Sequence, residues 1–292
     1  MARRYDGSTT TFSPEGAPGA LSVLRAARPI LTRGALARAL SLSPPRARAR
    51  ALVFVVAGRL HQVEYAVEAI NNAGTAVGIL AADGIVLAGE KQAATKLIAP
   101  SKSSEKTYKL DDHVACIVAG LSADANILIQ QARVTAQRYL YTYQEPMPIE
   151  QLTQRVCNQK QAYTQYGGLR PFGVKFLFAG YDKHLGFQLY MSDPSGNYGG
   201  WKATCVGQND QAGQSLLKNE YAPDMSVEAA LKLAVKVMNK TMDTTTPAPD
   251  KMEFFTLTRD ASGAIVHTTM TEEQTAKLLE EVQAEAAPEG DL

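Results

Sequence analysis

Few residues in this 292-residue chain are spaced for chemistry. The three cysteines, Cys116, Cys157 and Cys205, stand far apart, with neither CxxC nor metal-ligand spacing. An odd number so placed reads as reduced, mostly buried small hydrophobes of an intracellular protein rather than a disulfide framework. His61, His113, His184 and His267 are equally dispersed, so no metal site and no cofactor is expected. Lys106 lies among Lys102, Glu105 and Lys109, a grouping that by itself reads as a solvated face.

The bulk numbers bound the answer further. With 45% hydrophobic and 20% charged residues, the chain can bury one sizeable core. The formal charge of +1 hides an asymmetry: residues 17–58 hold seven Arg and no Lys, Asp or Glu, leaving −6 on the remainder. A mildly acidic body lacks the basic footprint of a nucleic-acid binder, so no nucleic-acid partner is expected. No membrane partner is expected either. The apolar run Ala51–Ala57 is far short of the roughly 20 residues needed to span a bilayer. The Arg-rich stretch before it imitates signal and transit peptides in composition, but it begins behind an orderly start containing Asp6 and Glu15.

The elements that must position any site follow from periodicity. Leu60, Val63, Ala66/Val67 and Ile70 recur at helical spacing over 59–72, and Asn71, Asn72 and Gly74 supply a stop. Strands are expected at 75–81 and 85–90 around Asp83-Gly84, a strong hairpin signal, and at 114–119. Two helices come next, the first with Ser122 as the expected cap, the second starting near Ile149 and ending at Gly167-Gly168. Further strands are expected at 172–181, 187–191 and 203–206, helices at 209–221 and 226–242, and strands at 253–258 and 264–268. A charged terminal helix and acidic tail are expected from about Thr271. Strands and helix pairs arriving in alternating blocks imply an α+β fold of two stacked sheets between helical layers.

The residues at the N-terminus go further than the pattern. Tyr5-Asp6-Gly7 and Thr11-Phe12-Ser13-Pro14-Glu15-Gly16, read directly into Arg59-Leu60-His61-Gln62-Val63-Glu64-Tyr65-Ala66, resemble the signature that opens proteasome alpha subunits. The resemblance continues through Gly74-Thr75, Ser104-Glu105-Lys106, Ala119-Gly120-Leu121, Gln165–Gly173 and Ser192–Ala203, covering essentially the whole chain outside 17–58. It implies the four-layer αββα sandwich of the N-terminal-nucleophile hydrolases, in a non-catalytic version. It also implies places for the parts: a gate segment at 1–16, a domain at 59–270 and a charged helix and tail at 271–292. The implied partners are other alpha subunits in a seven-membered ring, the beta-ring subunits, and the C-termini of the regulatory particle or other activators. The implied setting is ubiquitin-dependent protein degradation in cytoplasm and nucleus.

Site residues follow from the resemblance position by position. Lys106, with Gly120 and Leu121, matches the pocket between adjacent alpha subunits that receives the C-terminal carboxylate of an activator. An ammonium on a flexible stem suits that task. Tyr5, Asp6, Pro14 and Tyr65 match the cluster that holds the axial gate tails in an ordered turn. Proline's fixed φ and the tyrosines' rigid rings suit this arrangement. Gly7 departs from the family's common Tyr-Asp-Arg text and removes a guanidinium there.

The rival reading is an active threonine peptidase exposed by cleavage before Thr75, as in the catalytic beta subunits that share the fold. There the threonine hydroxyl attacks and its own free amine is the base. Glu90 and Lys106 match the acidic and lysine partners of that chemistry. But matching the following strands puts Gly74, not Thr75, at the nucleophile's position, and no disposable propeptide precedes it. No catalytic residue is therefore assigned.

Residues 17–58 break the signature between Gly16 and Arg59. The segment is Ala- and Leu-rich, acid-free and flanked by Gly16 and Gly58, and a pyrimidine-rich tract ending in AG could encode its close, Val-Phe-Val-Val-Ala-Gly. These features fit a retained intron translated in the gene model. A genuine insertion is the alternative, disfavoured because long insertions inside compact elements are uncommon. If present, it is expected to be disordered or a poorly packed helix, because its apolar groups would need cover.

Overall fold

A computed structural model of the chain describes residues 60–91, 106–242 and 249–286. The first helix, α1, is His61–Asn71, and it buries Ala66 and Ile70. Strands β1 (Ala76–Leu80) and β2 (Gly84–Glu90) form the expected hairpin, closed by Ala81 N–H donating to Gly84 O. The turn also acts at a distance. Asp83 Oδ1 accepts the N–H of Val227 at 2.9 Å, so the hairpin helps cap a helix 144 residues later.

Strand β3 (Thr107–Asp111) pairs with β4 (Val114–Gly120). Helices α2 (Ser122–Tyr143) and α3 (Ile149–Gln165) follow, then β5 (Val174–Asp182), β6 (Gly186–Ser192), β7 (Tyr198–Gly200) and β8 (Ala203–Val206). The chain continues through α4 (Asp210–Glu220), α5 (Val227–Thr241), β9 (Met252–Arg259), β10 (Ile265–Thr269) and α6 (Glu272–Ala286).

Two strands are absent from the sequence-based expectation. β3 carries Lys109 and Asp111 at the edge of its sheet, and β7 is a three-residue Tyr-Gly-Gly edge, so neither shows an apolar run. Ser122 does not cap α2. Leu121 occupies the cap position in extended conformation, and Ser122 is already helical. The cap that does form is Ser226, whose Oγ accepts Ala229 N–H at 3.3 Å to start α5.

The strands make two five-stranded antiparallel sheets, ordered β10-β9-β2-β1-β8 and β3-β4-β5-β6-β7. Alternate residues divide between layers, because successive side chains of a strand face opposite ways. Val77, Ile79, Val86 and Ala88 join Leu233, Val237 and Met238 of α5 in one outer core. Cys116, Val118, Phe176 and Phe178 meet Leu128, Ile129 and Leu152 of α2 and α3 in the other. Ile85, Leu87, Ile117, Leu177 and Leu257 fill the space between the sheets, with Ile70 of α1 at its margin. With both faces covered, the central strands read as continuous apolar runs. This is the expected αββα sandwich.

Helix α6 buries Leu278, Leu279 and Val282 in the first outer core, so the change in charge near residue 270 is not a break in packing. The three cysteines are free and buried, and burial pushes the Cys205 thiol up to about 12. Among the described residues no helix is long and apolar enough to cross a membrane, and no group of His, Cys, Asp and Glu is arranged to hold a metal ion.

Candidate functional site

Gly74, Glu90 and Lys106 are brought together at one end of the two sheets. β2 ends at Glu90, which pairs back along the hairpin: Glu90 N–H donates to Thr75 O at 2.9 Å, and Thr75 N–H donates to Glu90 Oε2 at 3.1 Å. Lys106 enters from the start of β3, and its Nζ donates to Gly74 O at 2.8 Å. Its stem passes Gly89, where a Cβ would stand in ordinary contact with Lys106 Cδ at 3.4 Å but only 2.8 Å from Ile117 Cδ1, so it is Ile117 that the glycine accommodates. Burial pulls the Lys106 ammonium down to about 8, opposed by the carboxylates of Glu90 and Glu253. Glu253 is itself held, with Oε1 accepting from the N–H (3.2 Å) and hydroxyl of Thr107.

The lysine–carboxylate pair therefore converges on a residue without a side chain. A Cβ on Gly74 would stand 2.9 Å from Lys106 Nζ, the mobile end of that side chain, and 3.2 Å from Glu90 O, so a residue at 74 with a side chain would lie directly against both partners. Thr75 is fully buried, and its Oγ1 donates to Gln208 O at 3.0 Å. Its nitrogen is a peptide amide already committed to Glu90, and an amide cannot serve as the base that threonine chemistry requires.

Lys106, Gly120 and Leu121 also lie at one end of the second sheet. Val118 N–H donates to Lys106 O at 3.2 Å, and Gly120 ends the same strand two residues on. Gly120 has φ +122°, a conformation that suits glycine, and it turns the chain into Leu121, which is 42% exposed. The Lys106 side chain bends inward to Gly74 O and stays partly exposed.

A set of residues beside this wall carries no isolated sequence signal. Asp124, in the first turn of α2, receives both Nη atoms of Arg170 at 2.5 and 2.6 Å and the Gly173 N–H at 3.0 Å. The glycines of 165–173 mark a helix-to-strand connection but do not say what it grips. Of the gate residues, Tyr65 lies on α1, partly buried, with its ring centroid 6.3 Å from that of His61. Tyr5, Asp6 and Pro14 lie outside the described residues, as does the segment 17–58.

Two antiparallel sheets between helical layers, with a lysine and a glutamate converging on a glycine, define the class: a sandwich of the N-terminal-nucleophile type. A family model described as "Proteasome subunit" matches residues 70–257. The chain is 58% identical to the proteasome subunit alpha type-4 of Spinacia oleracea over 281 residues, covering 96% of each chain. It is 58% identical to alpha type-4-A of Arabidopsis thaliana over 279 residues, covering 96% of this chain and 95% of the relative. It is 62% identical to alpha type-4 of Petunia hybrida over 253 residues, covering 87% and 85%. The chain belongs to the proteasome subunit family, and within it to the alpha type-4 group.

Proposed function

We propose that the chain is a non-catalytic subunit of the seven-membered alpha ring of the core proteasome. In this reading it packs against neighbouring alpha subunits and the beta ring and contributes to the axial gate. It receives activator C-termini at Lys106, Gly120 and Leu121, in ubiquitin-dependent degradation in cytoplasm and nucleus. The observation that carries the non-catalytic part is Gly74 beneath the Lys106 ammonium: partners of a threonine nucleophile are present, and the nucleophile is not. The likeness to alpha type-4 subunits over nearly the whole length supports the ring placement.

The test is the intact mass and N-terminal sequence of the chain recovered from assembled particles. The expected chain begins upstream of α1 and retains His61–Asn71. A chain beginning at Thr75 overturns the reading in favour of a threonine peptidase, because cleavage there is what would free the amine that serves as base.

A further inference from the structure

The Gly120–Leu121 wall of the pocket is held by other parts of the chain. A Cβ on Gly120 would lie 2.3 Å from Gly173 O and 3.1 Å from both Ile70 Cγ1 and Val174 Cα, so this backbone is pressed flat against residues 173–174. Leu121 N–H donates to Gly173 O at 2.9 Å. Gly173 in turn donates its N–H to Asp124 Oδ2 at 3.0 Å. Arg170 grips both oxygens of that carboxylate, and its Nη1 also donates to Pro171 O at 3.1 Å. The chain of contacts runs from guanidinium to carboxylate to the Gly173 peptide to Leu121.

Asp124 is only 5% exposed. Burial pushes its carboxyl up, but Arg170 and the Gly173 N–H outweigh that and hold it below the ordinary carboxylate range. A buried carboxylate that loses its cation is left uncompensated and must move or draw in water. If it moves, the Gly173 N–H loses its acceptor, and residue 173, whose carbonyl accepts from Leu121, is held less firmly. The fork geometry matters as much as the charge, since two parallel N–H···O bonds set orientation as well as distance.

We infer that Asp124 and Arg170 are positioning residues for the carboxylate-docking pocket, holding the Gly173 peptide so that Gly120 and Leu121 keep their place opposite Lys106. This rests on the docking role proposed above for Lys106. An ordinary structural ion pair would affect stability alone. Loss of a positioning pair also weakens docking without changing the rate reached at saturation.

The experiment uses core particles carrying Arg170→Gln, Arg170→Lys or Lys106→Ala. The probes are synthetic peptides copying the C-termini of the regulatory particle, as free acids and as C-terminal amides, with stimulated hydrolysis of a fluorogenic peptide as readout. Arg170→Gln is expected to raise the half-maximal concentration of the free acids about tenfold with the saturating rate unchanged. Arg170→Lys, which keeps the charge but not the fork, should restore part of the loss. Deuterium exchange should be about tenfold faster at the Leu121 amide in Arg170→Gln and unchanged at the Val118 amide.

If Lys106→Ala weakens the response while Arg170→Gln leaves the half-maximal concentration unaltered, the positioning role is wrong and the docking role stands. If neither Lys106→Ala nor amidation of the peptides matters, the docking role fails and takes the inference with it. Should Arg170→Gln particles not assemble, Arg170→Lys decides: unchanged Leu121 exchange overturns the inference, and faster exchange there supports it.

Discussion

An ammonium can receive a carboxylate only while it holds its proton, and burial at Lys106 works against that. With this group drawn down to about 8, the lysine is charged below that pH and loses its charge as pH rises through it. An activator's C-terminal carboxylate is ionised throughout this range, so only the lysine titrates. Activator-stimulated peptide hydrolysis is therefore expected to fall as pH rises past about 8. Lys106→Arg should remove that fall, because a guanidinium stays protonated. The measurement is stimulation against pH in particles of both kinds, corrected for unstimulated activity. A flat wild-type profile, or parallel falls in both, would count against docking at Lys106. The lysine itself was legible from the family text, but its inward bond to Gly74 O was not. That contact joins residues 32 positions apart, which come together only when the start of β3 is packed against the residues before β1.

At the scale of elements, the glycines separate local conformation from close packing. Gly120 and Gly168 both have positive φ, at +122° and +86°, but a Cβ on Gly120 would strike Gly173 O whereas one on Gly168 meets nothing within 4 Å. Gly168→Ala should cost only the conformational strain, on the order of 1 kcal/mol. Gly120→Ala adds displacement of the β5 backbone and should cost roughly 3 kcal/mol or more. Urea unfolding of the two variants measures the difference, and equal losses would mean that the contact at Gly173 yields freely.

Most elements were legible from local text: the hairpin from apolar runs on either side of Asp83-Gly84, and α5 from its stripe at helical spacing. The exceptions have local reasons. β3 and β7 are short edge strands, recruited by their neighbours rather than by their own composition. The start of α2 is set by the turn at Gly120 and the grip of Gly173 on Leu121, which overrides the capping preference of Ser122.

At the scale of the molecule, both sheets and the helical layers that cover them are formed by the described residues from 60 onward. Closing a loop of that length costs only about 3 kcal/mol, so its presence alone would not unfold the domain. The greater difficulty is its position, between the expected gate turn and α1, where its Leu and Val side chains would need cover. The expected outcome of transcript sequencing is a message joining the Gly16 codon directly to that of Arg59. Recovery of only the longer message would sink the intron reading and make the segment a genuine insertion.

What the sequence determined by itself was the order of the elements other than β3 and β7, the two-sheet layering and the family. All three are written in neighbouring residues, through apolar period, turn chemistry and a motif text that remains readable on both sides of 17–58. Only the tertiary structure decided how distant residues meet: Lys106 over Gly74, Asp83 on Val227, and Asp124 joined to Arg170 and Gly173. Periodicity tells a strand which face is buried but not which strand lies opposite, and a charge does not name its partner until packing brings one within reach.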